Sequence, residues 1–386
     1  SLDAETGQPD LAFGDEGRID LKALFQDDEK RPAPTHRTYG VSSAPIVCGN
    51  TVVVGSTIND RPMRQAFVAG DVRGFDVRTG KVLWTFHNPP RVGETGHESW
   101  GSGSASYTGN ANVWTGFSCD EEKGLLYLPF STPTNDFSGG HRPGDGLFGE
   151  SLVAVRADSG ELAWYFQTVR HGVWDYDLPT PPIFADLEVT RESGETEPIE
   201  ALVQITKQGF LFVLDRGTGE PVWPIEERPV PASTIEGEQL SPTQPFPTRP
   251  APFIRQGVRV EDLVDYTPSI RAEALEILSR YNYGDSYTPP RTEMFTINFP
   301  GNAGGANWPG AALDPETQIL YLPSHYGPTT IQLKEPDKAR SDMRFIPDIE
   351  IEIPGPQGQH KNKPPNATIS ADDLNRADYI WKITFG

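Results

Sequence analysis

Residues able to do chemistry concentrate in the segment RHGVWDYDLP (170–179), which holds a histidine, a tryptophan and two carboxylates. Asp175 lies between Trp174 and Tyr176, which makes it a partly desolvated carboxylate. That environment raises a pKa and suits a general base. The plainer alternative is that Asp175 and Asp177 only cap turns beside packed aromatics. Asp60 closes STIND (56–60), and Asn135 and Asp136 close TPTND (132–136), each after a strongly β run. Acidic and amide oxygens at several strand ends suit a hard cation such as calcium, which takes roughly 6–8 oxygen ligands. No compact EF-hand spacing is present, and solvated loop carboxylates are the alternative. Lys207 in ITKQGF is a lone cation among strand-forming residues, either a surface lysine or a charge pointing inward.

Other chemistries leave no trace. No G-x-G-x-x-G follows a strand, so no nicotinamide or flavin fold is indicated. There is no G-x-S-x-G elbow and no His-rich zinc motif. Redox chemistry on this chain needs a cofactor held in another way.

The elements that must position these residues come as a repeat. Trp84, Trp164, Trp223 and Trp381 each lie eight residues after the first position of a similar turn, at Asp76, Arg156, Asp215 and Asp373. LDAETGQPDL carries the same turn at Asp3, with Leu11 at the tryptophan position. In such a turn an Asp caps the backbone and a Gly takes the positive φ. The residues that follow alternate: Val82, Trp84 and Phe86 on one face; Leu162, Trp164 and Phe166; Tyr379, Trp381, Ile383 and Phe385. Period two predicts strands with one buried face, and a tryptophan at a fixed place predicts a flat spacer between stacked sheets. Units of this length suit four-stranded propeller blades with loop insertions, with a β-sandwich as the alternative. The fold class is all-β. One stretch, PSIRAEALEILSRYN (268–282), has helical periodicity, inside a long Pro-rich excursion over 224–300.

The 386 residues carry a net charge of −21, which argues against nucleic acid or an anionic membrane as a partner of the bulk surface. Cys48 and Cys119 sit in apolar, strand-like runs outside any metal-type spacing. They are read as two buried free thiols, with a single disulfide as the alternative. There is no transmembrane run or signal peptide, and both ends fall inside a repeat.

Taken together, GDVRGFDVRTGKVLWTFH, STPTNDFSGGHRPGD, HGVWDYDLP, TKQGFLFVLDRGTGEPVWPIEERPVP, LSPTQPFPT and ANWPGAALDPETQILY resemble the pyrroloquinoline-quinone (PQQ)-dependent dehydrogenases. The branch that the chain resembles contains the glucose-dehydrogenase-like quinoproteins. The resemblance implies an eight-bladed β-propeller with the quinone near its axis and a divalent metal, calcium or another such as magnesium, beside it. About five blades are expected in this chain, as a single domain over 1–386 truncated at both ends.

Position by position, the resemblance makes Asp175 the catalytic base and a metal neighbour. It makes Lys207 the basic residue on the quinone oxygens, and Trp114 the ring that stacks on the quinone. Asp60 matches a metal-binding carboxylate, and Ser43 and Thr57 fall where hydroxyls touch the quinone carboxylates. Trp174 joins the cofactor-binding set. Three departures stand out. A metal-binding Asn of the methanol branch aligns with Thr132, which leaves Asp136 or Asn135 as substitute ligands. A late quinone-contacting Asn aligns near Ser324. The vicinal cysteine pair of the methanol branch is absent.

The activity implied is oxidation of a sugar, polyol or alcohol, with ubiquinone or cytochrome c as acceptor and no nucleic acid involved. It would take place in the periplasm, with or without attachment to the cytoplasmic membrane. A non-catalytic propeller scaffold of the outer-membrane assembly type is the alternative.

Overall fold

The computed structural model describes residues 1–25, 30–191, 193–350, 354–358 and 363–385. Among the described residues there are seven antiparallel sheets, and four of them follow one another along the chain as the main units. The first is built from Ile46–Cys48, Thr51–Val54, Val72–Asp76 and Val82–Phe86. The second comprises Ser118–Asp120, Leu125–Pro129, Ser151–Arg156 and Leu162–Gln167. The third has Ile183–Thr190, Thr196–Ile205 and Leu211–Asp215. Its would-be outer strand shrinks to one bridge, Leu214 to Pro221. Pro221 and Pro224 flank that stretch, and a proline has no N–H for a ladder. The fourth sheet holds Ala312–Asp314, Ile319–His325, Ala367–Asp373 and Asp378–Phe385.

Two of the four repeated tryptophans, Trp84 and Trp164, act as spacers. Trp84 is buried and donates from Nε1 to Ala157 O of the second sheet at 3.0 Å. Its ring covers Gly160, where a Cβ would come within 2.6 Å of the indole. Trp164 repeats this one sheet further on, donating to Arg216 O at 3.2 Å and covering Gly219. Both glycines have positive φ and a ring against them, so each meets a conformational and a steric requirement at once.

The third junction differs. Trp223 borders a cavity of about 520 Å³ beside the Asp373–Asp378 turn, where Ala377 takes φ +55° at the glycine position of the repeat. The contacts there are polar: Glu188 N donates to Asn375 Oδ1 at 2.8 Å, and Asp186 N to Gln318 Oε1 at 3.1 Å.

Several expectations need correction. Val82 is exposed, because the ladder shifts register between Gly74 and Phe75 and breaks the alternation toward Trp84. Leu11 is also exposed, and Phe13 and Ile19 pack against Gly80 instead. Trp381 and Ile383 lie 38% and 56% exposed on the last strand, and the Phe385 side chain is outside the described residues. Cys48 and Cys119 form a disulfide with Cα atoms 5.9 Å apart, so the free-thiol reading is overturned. The first strands of adjacent sheets lie side by side there, which brings together two cysteines 71 residues apart. The expected helix is found at Pro268–Leu278, with Thr267 capping Ile270 N.

Candidate active site

Lys207 sits in the turn between the second and third strands of the third sheet. The glycine-rich 301–305 loop closes over it: Gly305 N donates to Lys207 O at 2.8 Å, and a Cβ on Gly304 would come within 2.7 Å of the lysine side chain. The ammonium is buried and donates to Asp175 Oδ1 at 2.7 Å and Asp177 Oδ2 at 2.9 Å. Both aspartates reach the one lysine from the irregular WDYD segment, where Asp175 takes φ +59°. Trp114 Nε1 donates to Asp177 Oδ2 at 3.1 Å, and the ammonium lies 5.9 Å from the indole centroid. Thr132 completes the set, giving Asp177 Oδ1 its backbone N–H at 2.7 Å and its hydroxyl at 2.9 Å.

The electrostatics divide the two carboxylates. Burial pushes Asp175 well above the usual carboxylate range; Lys207 opposes this, and the Asp177 charge adds to it. Burial would raise Asp177 too, but Lys207 and the Thr132 donors outweigh it and hold this group below its ordinary value. Lys207 resists its own burial through the same two aspartates and stays firmly protonated. Asp136 is buried and raised well above the usual range by burial, then by Asp175, Asp177 and Asp60. Asp60 is exposed at the rim, and its pKa is raised by desolvation and then by Asp177. Four aspartates thus share one electrostatic environment with a single lysine.

The structure brings together Asp60, Asp136, Asp175, Lys207 and Trp114. It links Ser43 and Thr57 as well: Ser43 Oγ donates to Trp114 O, and Thr57 Oγ1 bonds Ser42 Oγ, which itself donates to Trp114 O at 3.0 Å. Asn135 lies beside Asp136, with Oδ1 accepting from Phe137 N at 3.1 Å and Nδ2 directed at Phe345 O at 3.4 Å. Its amide oxygen is engaged within its own loop, and its nitrogen reaches a distant segment. The Ser324 hydroxyl is taken up by Thr368 Oγ1 at 2.5 Å inside the fourth sheet. Trp174 is fully buried, stacked on Tyr176 and donating to Thr288 O at 3.1 Å. It supports the loop from behind and offers no face to a ligand.

Reading the sequence for site residues missed Asp177 as a lysine partner, and missed Glu150, Arg142 and Glu238 altogether. The i, i+2 spacing could have found the first. Glu150 lies under the site, with Oε1 accepting from Tyr176 N at 3.2 Å and lying 3.1 Å from Thr132 Oγ1, and with Oε2 unpartnered among the described residues. Burial, then the Asp177 charge, raises its pKa to about 8.

The family model for the PQQ glucose/ethanol/alcohol dehydrogenase beta-propeller domain matches residues 1–386. The chain belongs to that family. Quinoprotein glucose dehydrogenase A of Acinetobacter calcoaceticus is 30% identical over 412 residues, which cover 100% of this chain and 49% of that protein. The glycerol dehydrogenase large subunit of Gluconobacter oxydans is 31% identical, with 88% of this chain and 44% of that one covered. A quinohemoprotein alcohol dehydrogenase from Pseudomonas putida superposes with a TM-score of 0.60 at 21% identity, over 100% of this chain and 49% of that one. The chain therefore spans about half the length of the curated relatives it matches. The fold is the β-propeller of PQQ dehydrogenases, and the scaffold alternative is not favoured.

The residues fit the quinone in kind: an indole, a protonated lysine and a set of hydroxyls stand together. For a metal the fit is one of charge only. The acidic excess suits a divalent cation, yet among the described residues no three His, Cys, Asp or Glu side chains gather as a ready coordination group.

Proposed function

We propose that this chain forms part of the catalytic propeller of a quinoprotein dehydrogenase that oxidises the hydroxyl group of a sugar, polyol or alcohol with PQQ. The observation that carries this reading is the buried Lys207, held by Asp175 and Asp177 beside the Trp114 ring. A scaffold has no use for an ammonium and two carboxylates kept out of water, an arrangement that costs several kcal/mol of desolvation.

The bound quinone supplies the acceptor for the hydride that leaves the substrate carbon. Asp175 takes the hydroxyl proton; burial raises its proton affinity toward that of a working base. Lys207 fixes the Asp175 carboxylate through Oδ1, and its positive charge would stabilise negative charge developing on a quinone held beside it. Asp177 neutralises part of that charge and is itself pinned by Thr132 and Trp114. Trp114 gives the flat surface against which a planar cofactor is oriented. Asp60 and Asp136 are the proposed ligands of a divalent metal, calcium or magnesium, and ubiquinone or a cytochrome c is the proposed acceptor. The Cys48–Cys119 disulfide supports a periplasmic location, because disulfides persist in oxidising compartments. Among the described residues no helix is long and apolar enough to cross a membrane.

The test is reconstitution of the full-length protein with PQQ and calcium, followed by dye reduction with a panel of sugars, polyols and alcohols. Retained quinone absorbance with turnover of at least one class is expected. No retained quinone and no dye reduction would overturn the reading.

A further inference from the structure

Arg142 is among the largest fully buried side chains, although it belongs to a loop and carries a full charge. Its guanidinium donates to three backbone carbonyls: Nε to Thr134 O at 2.8 Å, and Nη2 to Asn135 O at 3.2 Å and to Gly172 O at 2.6 Å. The first two precede Asp136 directly, and the third lies three residues before Asp175. One planar group thus bridges the two loops that carry the acidic residues of the site. A lysine cannot reproduce that bridge, because its donors radiate from a point and do not form a fork.

The surroundings are built to keep the guanidinium there. Glu238 accepts from Gly139 N at 2.7 Å and Gly140 N at 3.1 Å, and its Oε1 lies 2.5 Å from His171 Nε2. His171 Nδ1 lies 2.7 Å from Gly144 O. A Cβ on Gly139 would come within 2.6 Å of His171 Nε2 and 3.1 Å of Arg142 Cζ, so this position has room for glycine alone. Glu238, Glu150 and Asp136 all act on the Arg142 charge. The bridged loop also holds unusual backbone, with His171 at φ +48° and Asp175 at φ +59°. Left-handed conformations of non-glycine residues are strained and persist only where the surroundings over-determine them.

We propose that Arg142 is a positioning residue: its buried guanidinium locks the loop of Asn135 and Asp136 to the loop of Asp175, and so sets the placement of the base. The kinetic consequence rests on the dehydrogenase reading above; the structural coupling does not.

Both are tested in the full-length protein reconstituted with PQQ and calcium. Arg142→Lys keeps the charge and loses the fork. It is expected to lower kcat by about 30-fold or more, since small misplacements of reacting groups carry penalties of that order, with KM within about twofold of wild type. Unchanged kcat would overturn the proposal, because a merely structural arginine affects the folded fraction and not the turnover of folded molecules. If the wild-type protein neither retains quinone nor reduces dye, the dehydrogenase reading fails, and amide hydrogen exchange then decides the coupling on its own. In Arg142→Lys, exchange of 134–136 and 171–177 is expected to rise together by about tenfold, with 151–167 unchanged. Unaltered exchange, or a rise in one segment alone, overturns the proposal. If the variant does not fold, exchange in the wild-type protein settles the matter. The two segments are expected to open with one protection factor, and values differing by more than about tenfold overturn the coupling.

Discussion

The sheet junctions and the axial loops of this molecule are built on opposite terms. At the junctions a neutral indole covers a turn glycine and makes one hydrogen bond, at Trp84 over Gly160 and again at Trp164 over Gly219. No charge is buried by those contacts, and each repeats the one before it. In the axial loops Lys207, Asp175, Asp177, Asp136, Glu150 and Arg142 are all buried or nearly so, and Glu150, His171 and Asp175 take positive φ. Nothing there repeats. The neutral junction contacts lie where the chain is periodic, and the buried charges gather where it is not.

That contrast is open to attack from both sides. Trp164→Ala should destabilise the protein by about 3–5 kcal/mol in urea melts, as expected for removing a large buried aromatic. The lysine–aspartate cluster should survive in the molecules that remain folded, and an equal loss of site geometry would break the contrast.

Glu150→Gln probes the other region. A carboxyl raised from its ordinary value to about 8 favours the folded state while protonated. Its contribution is therefore full below about pH 4.5 and lost as pH rises toward 8. Wild-type stability should fall across that window through this group, and the variant should show a flatter profile when melts at pH 5 and pH 8 are compared. An unchanged slope would show that Glu150 titrates normally.

Reducing the Cys48–Cys119 bridge should cost about 2–4 kcal/mol, because it releases a closed loop of 71 residues in the unfolded chain. The smallest effect belongs to the irregular junction. Ala377→Gly should raise stability by about 1 kcal/mol by relieving a left-handed alanine. A loss instead would mean that the Ala377 methyl is needed for packing beside Trp223.

The same division explains what the sequence made legible. Equal tryptophan offsets revealed the sheets and their stacking, because a periodic structure leaves a periodic trace. Val82 was misplaced because a β-bulge shifts the alternation, and bulges have no period. The disulfide was weighed only as the alternative to free thiols, because its cysteines lie in different sheets and meet only once those sheets stack. Asp175 and Lys207 stood out by their neighbours in the sequence, Trp114 only through the family resemblance, and the structure places the three together. Asp177 was readable from its spacing to Asp175. Arg142, Glu150 and Glu238 were not readable, since they come from Gly- and Pro-rich loops whose path no local pattern fixes.

The central claim is that Asp175, held against Lys207, is the base for hydroxyl oxidation. Asp175→Asn in the full-length, PQQ-loaded protein tests it most directly, with dye reduction and quinone absorbance measured on the same sample. Turnover should fall by about 10³-fold, the order that a positioned base contributes, while the bound quinone stays at the wild-type level. Turnover within tenfold of wild type, or loss of the quinone itself, would contradict the account.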